Sequence, residues 1–431
     1  MTDGVNLRAL ALEVLLLSEK EGVFAHSLIN DTLDAHSFLD EKERSFFKRL
    51  TEGTIERRIT LDYIIDRVSS VPVQKQKSVI KHILRLGVFQ LYFMASVPPG
   101  AAINEAVKLA KQRGFKNLSG FVNGVLRAAD RQRIDISSIK ELWIRYSCPE
   151  WIVQKLTKSL GEERTERFLK ASLEGRELFL RPNSIRTTPE ALLKMLKERV
   201  GDRVRLSSDK RALCLKDAGA VSSLPGFEEG LFSVQDLSSM SVGFLSDPKP
   251  GMRVLELCSA PGGKICHLAE LMGNEGELTA CDLTEEKTAL IRENTERLGL
   301  SSVKTGVRDA REYEPSFEKG YDIVLADLPC SGLGVIGRKN EIRYRVREED
   351  VSSLVLLQRD ILRNAVRYVR PGGRLVYSVC TVTEEETGAQ RKFIEEEYPL
   401  KLITEKLFLP DAEEAEVTDG MYIGVFGESR E

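Results

Sequence analysis

The stretch Val254-Leu255-Glu256-Leu257-Cys258-Ser259-Ala260-Pro261-Gly262-Gly263-Lys264 restricts the fold of this chain more than any other. Its apolar start reads as a buried parallel strand. A small, glycine-containing turn follows, and then an apolar-periodic helix carrying Ile265, Leu268, Leu271 and Met272. Strand, turn and helix in that order form a crevice for a nucleotide-like ligand. Glycines let the backbone approach it, and the helix start offers unpaired N–H groups. The turn lacks the G-x-G-x-x-G spacing of dinucleotide sites, which argues against a nicotinamide oxidoreductase. Asp282 ends the next apolar stretch, where an acidic side chain meets ribose hydroxyls. An ordinary strand-to-helix turn without a ligand has the same local wording.

From Gly251 onward strands are expected at 253–257, 278–281, 303–306, 322–326, 374–379 and 421–426. Helices are expected near 264–272, 285–298, 352–369 and 384–397. This alternation predicts a doubly wound, mostly parallel α/β sheet of Rossmann-like type, with ligands beyond the C-terminal strand ends. Those ends carry Cys258–Lys264, Asp282, Asp309, Asp327 through Ser331, and Cys380.

Two of these ends hold thiols. Asp327-Leu328-Pro329-Cys330-Ser331-Gly332 leaves one strand, and Tyr377-Ser378-Val379-Cys380-Thr381 ends another. A thiolate is a soft nucleophile. Two thiols beside a nucleoside-type cofactor suit activation of an unreactive carbon such as cytosine C5. Attack on C6 makes C5 enamine-like and able to accept a methyl group from a sulfonium donor. Buried structural cysteine is the competing reading, and the chemistry alone does not say which thiol attacks. The seven cysteines contain no C-x-x-C pair, and His267 is the only histidine in this region, so no metal site is expected.

The N-terminal part reads differently. Residues 5 to about 135 show helical periodicity throughout, with Val79 to Leu91 as the expected central helix of a bundle. Net charge over 431 residues is −3, which excludes nucleic-acid binding by bulk charge. Between Thr51 and Lys140, however, 15 Lys and Arg face 7 Asp and Glu, a surplus of eight positive charges suited to a polyanionic partner. From 141 to about 240 a small α/β unit is expected, with strands near Leu178–Arg181, Val204–Leu206 and Ala212–Leu215. Arg181, Asn183, Gln235 and Asp236 beside its strand ends either cap turns or touch RNA. No apolar run of 18 residues and no signal-peptide pattern occur, so no membrane is expected and a cytoplasmic setting is the default.

Residues Leu84–Leu91, Ala102–Val107 and Gly120–Arg127 resemble the NusB family of helical RNA-binding modules. Cys258–Lys264, Asp327–Gly332 and Tyr377–Thr381 together resemble the RNA cytosine-5 methyltransferases. With the NusB-like lobe included, nearly the whole chain is similar to the bacterial RsmB (Sun/Fmu) family acting on small-subunit (16S) rRNA. The resemblance implies three domains: NusB-like at 1–140, a small α/β linker at 141–240, and a class I methyltransferase at 241–431. It implies S-adenosylmethionine as cofactor, bound by Cys258, Ser259, Ala260, Pro261, Gly262, Gly263 and Lys264, with Asp282 at the ribose and Asp309 beside the adenine. It further implies Cys380 as nucleophile, Cys330 in product release, and Asp327 between the methionine end and the target base. A monomer working on 16S rRNA is the implied state.

The chain departs from the family pattern in two places. Val379 stands where Ala or Thr is usual. Gly337–Arg343 replaces an Arg-Arg-x-Pro-Asp-Ile-Lys-like run, although Arg338, Lys339 and Arg343 could still grip RNA phosphate. Asp419-Gly420-Met421-Tyr422 resembles the family's entry to the last strand. Methylation of tRNA or another RNA, and a non-catalytic antitermination-type RNA-binding protein, are the alternative functions.

Overall fold

The computed structural model describes residues 5–174, 177–216 and 219–428. The rest of the expected domain spans (1–4, 175–176, 217–218, 429–431) lies outside the described residues. The chain forms two compact units: Met1–Gln154 with Lys339–Arg345, and Lys155–Arg338 with Val346–Glu431.

The first unit is helical, with helices Leu7–Glu21, Ala25–Ala35, Glu41–Glu56, Arg58–Val68, Ser78–Phe93, Pro99–Gln112 and Ser119–Gln132. Their starts follow from local chemistry. Asn6 accepts from the backbone N–H groups of Arg8 and Ala9, and Asp40 forms a reciprocal capping box with Glu43. Ser78–Phe93 is the central helix expected from its apolar wording, burying Ile80, Ile83, Leu84, Val88 and Phe89 among its neighbours. Each such side chain contributes about 1.5–3 kcal/mol of burial. Gly87 lets this helix approach Ser119–Gln132 closely, because a Cβ there would lie 2.7 Å from Leu126.

The segment Lys339–Arg345 is remote in sequence yet belongs to this unit. The Arg343 side chain is fully buried, at 0 % exposure, and donates to the carbonyls of Tyr146 and Ser147. The Tyr344 hydroxyl donates to the carbonyls of Glu56 (2.9 Å) and Ser147 (2.8 Å). The suggestion that Arg343 grips phosphate is therefore wrong: its guanidinium bonds to backbone carbonyls out of reach of solvent. Arg338 is also occupied, bonding Asp236 at 2.8 Å and Asp419 at 2.9 Å. Lys339 remains exposed.

The second unit contains two sheets. In the smaller, β1 (Leu178–Pro182), β2 (Val204–Leu206), β3 (Leu213–Leu215) and β4 (Phe232–Val234) run in the order β2-β3-β1-β4, all pairs antiparallel. Helix Pro189–Val200 packs Leu192 and Leu196 on it. The larger comprises β5 (Arg253–Leu257), β6 (Glu277–Asp282), β7 (Val303–Val307), β8 (Tyr321–Asp327), β9 (Val369–Val379), β10 (Lys401–Phe408) and β11 (Met421–Gly427). Its order is β10-β11-β9-β8-β5-β6-β7, parallel from β9 through β7 and antiparallel at β11 and β10.

The doubly wound expectation thus holds. Val254, Ile323 and Leu325 face helices Leu237–Ser246, Gly263–Leu271 and Glu285–Leu298, while Leu255, Leu257, Val324 and Ala326 face Glu348–Tyr368 and Gly388–Glu397. Apolar runs with both faces covered are what parallel strands require. Strand β10 was not expected. It is an edge strand, half solvated, and its alternation of charged and apolar residues carries no buried run. Strand order reverses between β5 and β8, so the crevice opens beyond their C-terminal ends. Among the described residues no helix is long and apolar enough to cross a membrane.

Candidate active site

The cofactor-type turn is built by its own backbone. After β5, Cys258 takes φ +60° and Gly262 φ +95°. A Cβ on Gly262 would stand 3.1 Å from Ile291, so space and conformation both call for glycine there. The Ser259 N–H donates to the Cys281 carbonyl at 2.8 Å, and the Ala260 N–H donates to Asp282 Oδ2 at 2.9 Å. Asp282 is therefore clamped to the turn, with Leu283 N at 2.7 Å and Lys287 Nζ at 3.1 Å from Oδ1. Beneath it, burial pushes the Glu256 carboxyl up to about 8, against the hydrogen bond donated by Ser259. Burial also pushes the Cys258 thiol up to about 12, Asp282 and Asp327 adding to it, so Cys258 remains a neutral thiol.

At the ends of β6 and β7 the side chains of Leu283 and Val307 stand in water, 53 % and 48 % exposed. They flank Asp282 and Asp309, and the Arg308 N–H donates to the Asp282 carbonyl at 2.8 Å. Apolar faces beside a carboxylate with remaining acceptor capacity suit a nucleoside, base on the first and ribose on the second. Sequence reasoning missed both apolar residues, because an exposed Leu or Val at a strand end reads as core. Asp309 forms a fork with Arg311, which holds its carboxyl below the usual range.

At the ends of β8 and β9, Lys264 Nζ lies 2.7 Å from Asp327 Oδ2, and the Ser378 hydroxyl donates to Asp327 Oδ1 at 2.6 Å. Burial works to lower the Lys264 pKa, but Asp327, with Glu256 and Cys380 adding to it, holds the ammonium above its ordinary value. The Cys330 and Cys380 sulfurs are 3.3 Å apart. Their hydrogen bond, then burial, raises the Cys330 thiol well above the usual range, so it keeps its proton. The structure thus brings Lys264, Asp327, Cys330 and Cys380 into one crevice, with Cys258 and Asp282 on the adjoining turn.

Other polar candidates are scaffolding. Asp236 caps helix Leu237–Ser246 by accepting from Ser238 N at 2.9 Å. Asn183 donates to the carbonyls of Gly230 and Leu298. Arg181 and Gln235 meet in a buried cluster around Glu270. Buried Glu386 bonds the turns of both thiols and was also missed, since 384–397 reads as one helix. The helix begins only at Gly388, after a short 3₁₀ turn Glu384–Glu386.

A probable ribosomal RNA small subunit methyltransferase B of Bacillus subtilis is 35% identical over 402 residues, spanning 91% of this chain and 89% of that one. The chain belongs to the RsmB/F family of 16S rRNA methyltransferases. The family model for the RsmB/F methyltransferase matches residues 244–423, that for NusB 5–131, and that for the RsmF/B-like ferredoxin-like domain 148–222. Ribosomal RNA small subunit methyltransferase B of an Escherichia coli strain is 30% identical over 90% of the chain and 89% of its own length. The solved structure of PH0851 shares the fold, with TM-score 0.80, 24% identity and 99% of each chain covered. RsmB/F membership makes S-adenosylmethionine the cofactor, and the turn, Asp282 and the two exposed apolar side chains fit it.

Proposed function

We propose that this RsmB/F protein methylates C5 of a cytosine in small-subunit ribosomal RNA through a covalent adduct between Cys380 and C6. The observation that carries the reading is the pair of sulfurs 3.3 Å apart beside the Lys264–Asp327 ion pair. The names of the relatives support ribosomal RNA as substrate.

Residues Cys258–Lys264 would hold the cofactor from the turn, Asp282 at its ribose and Asp309 beside its adenine, with Asp327 near the methionine end. S-adenosylmethionine supplies an electrophilic methyl group when bound. The chain's part begins with Cys380, whose thiolate adds to C6 and pushes the ring electrons to C5. Lys264, held as an ammonium in the same crevice, stabilises the negative charge there. Asp327 accepts a hydrogen bond from the cytosine edge. Once C5 carries the new group, water entering the crevice takes the C5 proton, the electrons of that C–H bond re-form the C5–C6 double bond, and Cys380 departs as thiolate. Cys330 assists that departure, because its retained S–H lies beside the leaving sulfur and can donate to it.

The base must leave its stack, at a cost of a few kcal/mol that single-stranded loops lower. On the helical unit Lys75, Lys77, Lys111, Lys116, Arg127 and Arg131 are exposed and available to phosphate.

A small-subunit rRNA fragment carrying 5-fluorocytosine tests the reading, because fluorine prevents loss of the C5 proton and freezes the adduct. Wild type and Cys330→Ala are expected to trap RNA, and Cys380→Ala is not. Trapping by Cys380→Ala but not by Cys330→Ala reverses the two roles. Trapping on tRNA alone changes the substrate, and no trapping on any RNA overturns the adduct.

A further inference from the structure

Glu386 is a fully buried carboxylate that no step above uses, at 0 % exposure. Its Oε1 accepts from the Ser331 N–H at 2.8 Å and from Gln358 Nε2 at 3.1 Å. Its Oε2 accepts from the hydroxyls of Ser331 (2.5 Å), Thr381 (3.1 Å) and Thr383 (2.9 Å). Ser331 follows Cys330 in the chain, and Thr381 follows Cys380. The same Gln358 amide donates to the Pro329 carbonyl at 2.9 Å, and the Tyr377 hydroxyl donates to the Glu386 carbonyl at 2.7 Å. One carboxylate thus ties together the two turns that carry the thiols, out of reach of solvent. Five donors on one buried carboxylate offset its desolvation and give it a single orientation.

We propose that Glu386 is a positioning residue that sets the separation and aim of Cys330 and Cys380. The proposal rests on the reading above, in which those thiols are the reacting groups. Only N–H donors meet Oε1, and only hydroxyls, which can turn to accept, meet Oε2. An amide in place of the carboxylate therefore keeps both N–H links at its oxygen and can donate to two of the three hydroxyls, so Ser331 and Thr381 stay tied together. A shorter or absent side chain breaks them.

The test uses the full chain as wild type, Glu386→Gln, Glu386→Asp and Glu386→Ala. Calorimetry with S-adenosylmethionine checks that each is folded. Phenylarsine oxide, without RNA, reports the thiol pair, since its arsenic forms two As–S bonds and releases water only where two thiols converge; Cys330→Ala is the control. Methyl transfer to the rRNA fragment gives kcat and KM. Glu386→Ala and Glu386→Asp are expected to bind the arsenical about tenfold more weakly, because the thiols are no longer pre-set. Their kcat is expected to fall about 100-fold, the scale of a misplacement near 1 Å, with KM within about threefold. Glu386→Gln is expected within about threefold of wild type in all three.

Wild-type arsenical affinity and kcat in folded Glu386→Ala and Glu386→Asp overturn the proposal. Loss in Glu386→Gln equal to that in Glu386→Ala also overturns it, because charge and not placement would then matter. If Glu386→Ala does not bind cofactor, Glu386→Asp decides. If wild type transfers no methyl group to C5, the functional reading fails, and arsenical binding alone judges Glu386.

Discussion

Helix Gly263–Leu271 carries a charged cluster at each of two places, and they are built in opposite ways. Near its far end Glu270 pairs with Arg181, with side chains only 1% and 3% exposed. Arg181 donates to both Glu270 oxygens, to Gln235 and to the Gly263 carbonyl at 2.9 Å, so the fork is saturated. At the first turn Lys264 pairs with Asp327, and these side chains are 15% and 26% exposed toward the crevice. A hydrogen bond joins Lys264 to Asp327, and Asp327 takes a second from Ser378. A saturated buried pair holds the small sheet against the cofactor helix. A pair with donor and acceptor capacity left beside an opening suits chemistry. The difference lies in partner number and access, since both are ion pairs on one helix.

The largest expected effect is on the saturated side. Arg181→Met leaves Glu270 buried without its cation, which costs about 3–5 kcal/mol. Calorimetry or denaturant titration should show that loss, while the rate per folded molecule changes little. Adding Glu270→Leu should recover most of it, since an apolar pair of similar size replaces a buried ion pair at small cost. A rate loss in Arg181→Met larger than its stability loss would erase the contrast.

Next comes Lys264→Met. Removing the cation from the crevice should lower methyl transfer by about 10²–10³-fold, the scale of one lost electrostatic stabiliser. Its melting temperature should move less than that of Arg181→Met, because water reaches Asp327.

The smallest effect sharpens the comparison through pH. Burial holds the Glu256 carboxyl at about 8 in the folded chain, above its unfolded value. The folded state then binds the extra proton, so this contribution to stability is full below the unfolded pKa and falls as pH rises toward 8. Glu256→Gln should remove that slope, raising the melting temperature by a few degrees at pH 8 and much less at pH 5. An unchanged slope would mean that Glu256 is ionised in the fold.

Much of the site was legible before the fold. The turn Cys258–Lys264, Asp282 and the two Cys-bearing strand ends come from short segments whose own turns and apolar runs specify them. Asp309 was named as well, although its fork with Arg311 was not foreseen. The misses share a cause. Glu386 looked like the solvated start of a helix, because its five donors come from segments up to 55 residues away. Strand β10 lacked a buried run because it lies at an edge.

The amino-acid sequence by itself determined the alternation of strands and helices in the parallel part of the large sheet, the cofactor turn and the presence of two thiols beyond strand ends, because these follow from local periodicity and turn chemistry. Only the tertiary structure decided which charges pair. Arg181 finds Glu270 89 residues away, and Arg343 finds the carbonyl of Tyr146 across 197. The 3.3 Å between Cys330 and Cys380 likewise exists only once β8 and β9 are neighbours. A polar side chain carries no periodic mark of its partner, and its desolvation is compensated only when distant segments bring their donors to it.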